Sequence, residues 1–531
     1  MGLRFVVALS FAVGVLSSAS AAPPTVPSDI RAVFNKPAYR NATWGLRVLD
    51  GKRVLIDFNS DRQLFIGSVR KVFSVGALLN AVGASHTYDT PVYRQGSIDN
   101  KNVLHGSLIV VASGDLTMGG RTNPDGTVAV STWDHNEADS LGNAILTRPD
   151  PLAGYRRLAR AVKAAGIDRV AGDVIIDDRL FQPFDFRSEF RVRPIFVNDD
   201  VVDFTIVPVR RPGTRGNLTW RPMSAALAID NRLTTGAPNS KNTLAIDPML
   251  PRCIGMPACS ATVKGSLPSN FVPPLTGRPV LVRTVRIVQP TNYARTVFIE
   301  SLKLAGVAVN RPAVEPNPSR LLPTRASYRP NAKVAQLNGL SYAQDAKLIL
   351  KISYNIGADT SLVLYGLTRG VNTMSKSLQV ERENLAIRYG VRSSQYHFID
   401  GSGGGDTTAT NGAVTHMLGQ LAKAREFQTF YNALPILGVD GSLASVKNFQ
   451  KDSTLAGAAG QVHAKTGTYV AGSKVGPVLK GQALGGYITT RGGKHLTFEL
   501  VVNNVPISGI EDVVKVFQDQ GSIAAMLWRD N

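Results

Sequence analysis

The sequence predicts an α/β fold in which one domain is split by a large, mainly β insertion. Three observations carry this. Strand candidates stand at both ends of the chain, helix candidates flank them, and the texture changes near residue 95 and again near residue 335. A domain whose chain leaves and re-enters it around an inserted module produces that order. The 531 residues exceed what one ordinary core holds, so two or three domains are expected. With 44% hydrophobic and 18% charged residues, the composition is that of a folded chain and not of a disordered one.

Residues 1–22 read as a secretory signal peptide. Arg4 supplies a short positive region, Phe5 to Leu16 an apolar stretch, and Ala19-Ser20-Ala21 a small-residue cleavage signature. The apolar stretch falls short of the ~20 residues of a membrane span, and no later segment resembles one. The mature chain is therefore expected in the periplasm or outside the cell, without a membrane span.

Residues 23–95 and 335–531 are expected to form the split domain. In WGLRVLDGKRVLIDFNSDRQLF, two β-rich runs flank Asp50-Gly51, a strong hairpin signal. The segment FIGSVRKVFSVGALL follows at once. There Val72, Val75, Leu79 and Val82 recur at helical spacing, which predicts a buried helix beginning near Ser68. On such a helix Ser68 and Lys71 share one face, about one turn apart. Beyond residue 335, SYAQDAKLILKISYN reads as a helix running into a polar turn and DGSGGGDTTATNG (400–412) as a flexible loop. QVHAKTGTYV, ALGGYITT and HLTFELVVNN read as three successive strands, and a last helix is expected from about Glu511 to Trp528.

Residues 96–334 read as one or two β-rich modules. HGSLIVVASGD and VAGDVIIDD look like short strands. LAGYRRLARAVKAAGI and TNYARTVFIESLKLAGV look like helices stopped by Gly166 and Gly306. No clustered chemistry is visible in this region. The acidic pairs Asp177-Asp178 and Asp199-Asp200 are expected to be solvated turns, not paired glycosidase carboxylates. Cys253 and Cys259 can close a small disulfide loop in an oxidising compartment. No further ligand of zinc type stands near them, and neither a metal nor a cofactor is expected.

The formal net charge is +20, which in an exported chain implies attraction to a polyanion such as a cell-envelope polymer. The basic residues are dispersed, without a Lys/Arg run or interleaved aromatics. With the export signal, that argues against nucleic acid.

Three short motifs remain: Ser68-Val69-Arg70-Lys71, Ser353-Tyr354-Asn355 and Lys465-Thr466-Gly467-Thr468. Each alone is commonplace, a helix cap, a polar loop pair, a turn before a strand. In this order they match the S-x-x-K, S-x-N and K-T-G set of penicillin-binding proteins and β-lactamases. The chemistry explains the set. A serine hydroxyl needs a base, and Lys71, desolvated beside a second amine at Lys465, supplies one in its neutral form. The N–H groups of Ser68 and Thr468 offer an oxyanion hole. Lys465 with the Thr466 and Thr468 hydroxyls is suited to a terminal carboxylate. Ser353 relays a proton to the leaving amine, and Asn355 holds Lys71 and the substrate amide. Rival chemistries lack support, since no G-x-S-x-G elbow or H-E-x-x-H motif occurs. His463 is expected to be a packing or surface histidine, and the glycines at 401 and 403–405 do not fit a phosphate loop.

The chain resembles the class C low-molecular-mass penicillin-binding proteins, D-alanyl-D-alanine carboxypeptidases with endopeptidase activity. More than half the chain separates Ser68 from Ser353, similar to this family, whose extra domains interrupt the catalytic fold there. SGDLTMGG, VAGDVIIDDRLF, FIDGSG and LPILGVDGSL look like further family segments. Here Gly404-Gly405-Asp406 stands where the family usually has Leu-Ser after D-G-S-G. The resemblance implies a penicillin-recognising serine transferase domain of β-lactamase/transpeptidase type. It also implies nucleophile and base at Ser68 and Lys71, the S-x-N pair at Ser353 and Asn355, and the K-T-G at Lys465, Thr466 and Gly467. Hydrolysis of D-Ala-D-Ala stem peptides and cross-links of peptidoglycan through an acyl-enzyme would follow, with β-lactams as inhibitors. The alternatives are a β-lactamase or esterase on the same scaffold, or a wall-binding penicillin sensor without turnover.

Overall fold

The computed structural model describes residues 25–137, 141–248, 252–473 and 476–531. The signal peptide expected over residues 1–22 lies outside them. The Asp50-Gly51 hairpin forms: strands Thr43–Asp50 and Arg53–Phe58 pair antiparallel. Gly51 turns at φ +58°, a conformation glycine adopts without strain. Strand Thr43–Asp50 pairs on its other side with His495–Pro506. Gly476–Thr489 follows, and then Val462–Ser473 at the sheet edge. The two ends of the chain thus build one five-stranded antiparallel sheet.

Strand alternation sends two apolar sets to opposite faces of this sheet. Trp44, Leu46, Val48, Leu484 and Leu500 pack under the helices Ser28–Phe34 and Ile510–Arg529. Ala483, Tyr487 and Val501 face a helical layer containing Lys71–Val82, Tyr342–Ile352, Asn355–Leu367 and Asn411–Leu421. Helix Lys71–Val82 is more central than its periodicity suggests. Every side chain from Lys71 to Leu79 is buried, whereas Val82, counted on the apolar face, is only half-buried.

The segment 400–412 is not a flexible loop. The Asp400 carboxylate accepts the N–H groups of Ser402, Gly403 and Gly404 at 3.0, 2.7 and 3.0 Å, which closes a tight turn. Thr408–Thr410 is a strand and Asn411 opens a helix. Small residues suggested freedom, but one carboxylate collecting three donors removes it.

Between residues 90 and 337 a second sheet forms around Val103–Val111, flanked by Thr90–Ile98 and Lys333–Leu337 on one side. Val174–Asp177 and Arg169–Val170 pair parallel to it on the other. Helices Ala153–Ala164 and Pro290–Leu304 cover this sheet. The junctions expected at 95/96 and 334/335 fall inside Thr90–Ile98 and Lys333–Leu337, which pair with each other. The polar sequence TPVYRQGSI concealed the first of these strands. Cys253 and Cys259 are joined by a disulfide. This region does not stand apart from the first. Phe181, Phe184, Phe186, Phe190 and Phe196 share the hydrophobic cluster that surrounds helix Lys71–Val82.

The acidic pairs are not solvated turns. Asp177, Asp178, Asp199 and Asp200 are all buried. Asp177 pairs with Arg179 and the Tyr328 hydroxyl, and Asp178 with Arg193. Asp199 belongs to a buried cluster that the sequence did not reveal. Arg121 Nε donates to Asp199 at 2.8 Å, and its terminal nitrogens donate to Asp134 at 3.0 and 2.7 Å. His135 lies between Asp203 (2.7 Å) and Asp199 (2.9 Å). Asp134, His135 and Asp199 are close enough together for a cation, and the Arg121 guanidinium, hydrogen-bonded to Asp134 and Asp199, supplies positive charge there. Burial opposes a charge on His135, but Asp203, Asp199 and Asp134 outweigh it and raise the ring to about 9.

Two expectations follow from this cluster. Arg121→Ala strands two buried carboxylates and should lower the unfolding free energy by about 3–5 kcal/mol in chemical denaturation. The stabilisation from the raised His135 is complete below pH 6.5 and is lost as pH climbs to about 9. The wild-type melting temperature should therefore fall across that window, and His135→Gln should flatten the dependence.

Candidate active site

Ser68 sits in the tight helical turn Gly67–Arg70, which runs straight into Lys71–Val82. Glycines press on it from two sides. A Cβ on Gly467 would fall 2.1 Å from Ile66 O and 3.0 Å from Ser68 N; one on Gly403 would fall 2.0 Å from Gly67 O and 3.0 Å from Ser68 N. The edge strand Val462–Ser473 and the turn after Asp400 thus close on the Ser68 backbone at distances only glycine permits. The same approach brings the Thr468 N–H alongside: a Cβ on Gly67 would stand 3.1 Å from Thr468 N.

Lys71 is fully buried. Its Nζ lies 2.7 Å from Ser68 Oγ, 2.6 Å from Asn355 Oδ1 and 2.9 Å from the carbonyl oxygen of Ser402. Two of these partners can only accept. A neutral amine satisfies them with its two N–H bonds and turns its lone pair to the Ser68 hydroxyl; an ammonium donates to all three. The direction of the Ser68 hydrogen bond therefore follows the proton on Lys71.

Lys465 is equally buried. Its Nζ donates to Ser353 Oγ at 3.0 Å and to Thr466 O at 2.8 Å. Burial, and then the charge of Lys71, holds it well below the ordinary lysine range. Ser353 caps helix Tyr342–Ile352 in a left-handed conformation, φ +62°, and Asn355 opens helix Asn355–Leu367. The break between the two helices presents both side chains to one point. Thr466 Oγ1 meets Ser442 Oγ at 2.7 Å, and Thr468 is exposed at the cleft mouth.

The predicted residues Ser68, Lys71, Ser353, Asn355, Lys465, Thr466, Gly467 and Thr468 are thus brought to one cleft. The arrangement places a hydroxyl beside an amine, a second hydroxyl beside a second amine, and two backbone N–H groups near the first hydroxyl. That is the apparatus of nucleophilic acyl transfer.

Sequence reasoning missed what holds it in place. Arg70 is fully buried and pairs bidentately with Glu381 at 2.9 and 2.5 Å. It also donates to the Asp400 carbonyl at 2.9 Å and lies over the Phe398 ring. Burial pushes the Glu381 carboxyl up and Arg70 opposes the shift. Asp359 accepts the Gly401 N–H at 2.9 Å. Its position four residues after Asn355, on the same helical face, was the available signal. His463 stacks on Tyr431 with ring centroids 3.9 Å apart, a packing histidine as expected.

A family model described as D-Ala-D-Ala carboxypeptidase 3 (S13) matches residues 26–520. The D-alanyl-D-alanine carboxypeptidase of Actinomadura sp. (strain R39) is 26% identical over 516 residues, spanning 92% of this chain and 83% of that protein. Penicillin binding protein 4 from Haemophilus influenzae superposes with a TM-score of 0.67 at 16% identity, covering 94% of this chain and 99% of that one. The same protein complexed with a β-lactam gives 0.65 at 18% identity, with the same coverage. These structures share the mixed α/β fold described above. Since the family match runs through all three motifs and nearly all of the described chain, the protein belongs to the D-Ala-D-Ala carboxypeptidase 3 (S13) family.

Proposed function

We propose that this chain is an exported serine-type D-Ala-D-Ala carboxypeptidase and endopeptidase that cleaves peptidoglycan stem peptides and cross-links. The observation that carries the reading is Lys71 Nζ held between Ser68 Oγ and Asn355 Oδ1 in a buried cleft. Ser68 Oγ attacks the penultimate D-alanine carbonyl carbon while its proton passes to Lys71. The Ser68 and Thr468 N–H groups face the developing oxyanion. The C–N bond then breaks, and the leaving amine takes a proton through Ser353, which Lys465 orients. Water hydrolyses the resulting ester, returning the hydroxyl to Ser68. Lys465, Thr466 and Thr468 recognise the terminal carboxylate, and Asn355 positions the substrate amide. A β-lactam would acylate Ser68 in the same way and leave slowly.

The domains are read as a catalytic unit built from both chain ends and an insertion bounded by the paired strands Thr90–Ile98 and Lys333–Leu337. Among the described residues no helix is long and apolar enough to cross a membrane. The net charge of +20 suits retention on anionic envelope polymers, so sedimentation with cell walls should be lost in 1 M salt, where the screening length falls to ~3 Å. The reading itself is tested by fluorescent penicillin. Wild type should be labelled covalently and should release D-alanine from a pentapeptide, and Ser68→Ala should do neither. Labelling that persists in Ser68→Ala would refute the nucleophile. Rapid regeneration of free enzyme from benzylpenicillin would favour a β-lactamase instead.

A further inference from the structure

The five-stranded sheet has the cleft with the three motifs at one edge and a second recess towards the other. Residues of helix Ser28–Phe34, the turn Pro37–Tyr39 and the strands Thr43–Asp50 and Arg53–Phe58 line a cavity of about 650 Å³. That volume suits a small ligand or one unit of a larger one. Thr43–Asp50 lies three strand positions from the edge strand Val462–Ser473, about 14 Å by strand spacing alone. Nothing proposed for the three motifs uses this recess.

Its charge is one-sided. Arg31, Lys36, Arg40 and Arg62 line it, and among the described residues no acid does. Lys36 is held by Asp519 at 2.6 Å, which also accepts the Tyr39 hydroxyl at 2.6 Å. The acids nearby are directed elsewhere, Asp29 to Arg529 at 2.6 Å and Asp57 to Arg47 at 3.9 Å. Asp61 stands beside Arg62 in sequence but forms no ion pair with it among the described contacts. Arg31, Arg40 and Arg62 are exposed, and their side chains make no hydrogen bond or ion pair among those contacts. A guanidinium can only donate, so three sets of donors border one recess without a counter-charge.

The same recess has an aromatic wall. Phe34 stacks on Trp44 with ring centroids 4.5 Å apart, and Tyr39 meets Trp44 edge-on at 5.0 Å. Trp44 lines the cavity and is 4% exposed, and its indole N–H is buried without an acceptor. An unpaired buried donor is unfavourable. Its demand, like that of the guanidiniums, is for an acceptor.

We propose that this recess binds a polyol or sugar phosphate diester, the repeating unit of an anionic envelope polymer. The planar guanidinium fork matches phosphate oxygens, and the aromatic wall offers flat faces to the C–H groups of the polyol. A bare ion would leave most of the volume unfilled. An exported chain meets such polymers in the envelope, and a site away from the cleft lets polymer and stem peptide bind together. Retention then has an address and is not a matter of net charge alone.

Isothermal titration of the mature chain with a glycerol phosphate trimer at 0.15 M salt tests this. Replacing Arg31, Arg40 and Arg62 together by alanine should weaken binding by about tenfold or more. Lys241→Ala, Arg252→Ala and Arg278→Ala together remove the same charge from exposed positions of the inserted region. That variant should stay within about twofold of wild type, because screening isolates distant charges. Equal losses in the two variants would assign binding to net charge and overturn the site, as would wild type that binds the trimer no more tightly than inorganic phosphate. Triglutamate bound as tightly as the trimer would overturn the phosphate. Phosphatidylglycerol vesicles held through the same three arginines would overturn the polymer in favour of a lipid headgroup. The outcome is separable from the serine-enzyme reading: Ser68→Ala should bind the trimer as wild type does. Labelling by fluorescent penicillin should persist in the arginine variant, which also shows it to be folded, and a trimer that blocks labelling of wild type would overturn the separation of the two sites.

Discussion

The three contacts at Lys71 Nζ are the constraint on which the site depends. Ser68, Asn355 and Ser402 come from three segments far apart in the chain, and one buried nitrogen reaches all of them within 2.9 Å. A buried amine cannot be left without partners, because an unpaired polar group in a low-dielectric interior loses its hydration with nothing in return. The helix break that presents Asn355 and the turn that presents Ser402 are therefore held by the same requirement that holds Ser68. Arg70, one residue earlier, repeats the device on the opposite side of the turn, tying Ser68 to Glu381 and to the Asp400 carbonyl. Neighbouring side chains pointing in different directions fix the turn in position and in rotation.

The sequence was most legible where one local signal sufficed. Asp50-Gly51 marked a hairpin, Gly166 and Gly306 marked helix ends, and three successive β-rich runs near the C-terminus became three strands of the sheet. The three short motifs were legible because the chemistry proposed for them needs particular side chains at particular spacings. What supports them was not. Glu381 and Asp359 are ordinary helix-borne acids until the fold places a guanidinium beside one and a turn's backbone N–H beside the other. The same holds for Arg121, Asp134, His135 and Asp199. Acids and bases distributed over 79 residues look like solvated surface until they meet in a core. The 400–412 segment failed for a related reason: its glycines permit mobility, yet its aspartate forbids it.

Tyr354, the middle residue of the second motif, shows why the two parts of the molecule belong in one account. Its ring is 1% exposed and lies in the cluster shared by helix Lys71–Val82 and the phenylalanines of the 181–196 segment. Burial raises its phenol well above the ordinary range, and the charges of Asp199 and Asp200 add to the shift, which places the buried cluster within electrostatic reach of the motif. Ser353 beside it pays for a left-handed backbone, φ +62°, a cost of order 1–3 kcal/mol that persists only when surroundings over-determine it. The packing of Tyr354 against both regions is such a surrounding. It fixes the residue between Ser353 and Asn355 and so limits how far either can turn. The region between residues 90 and 337 is thereby part of the wall that orients the second motif, which explains why a chain segment with no residue in the three motifs shares a hydrophobic core with the helix that carries Lys71.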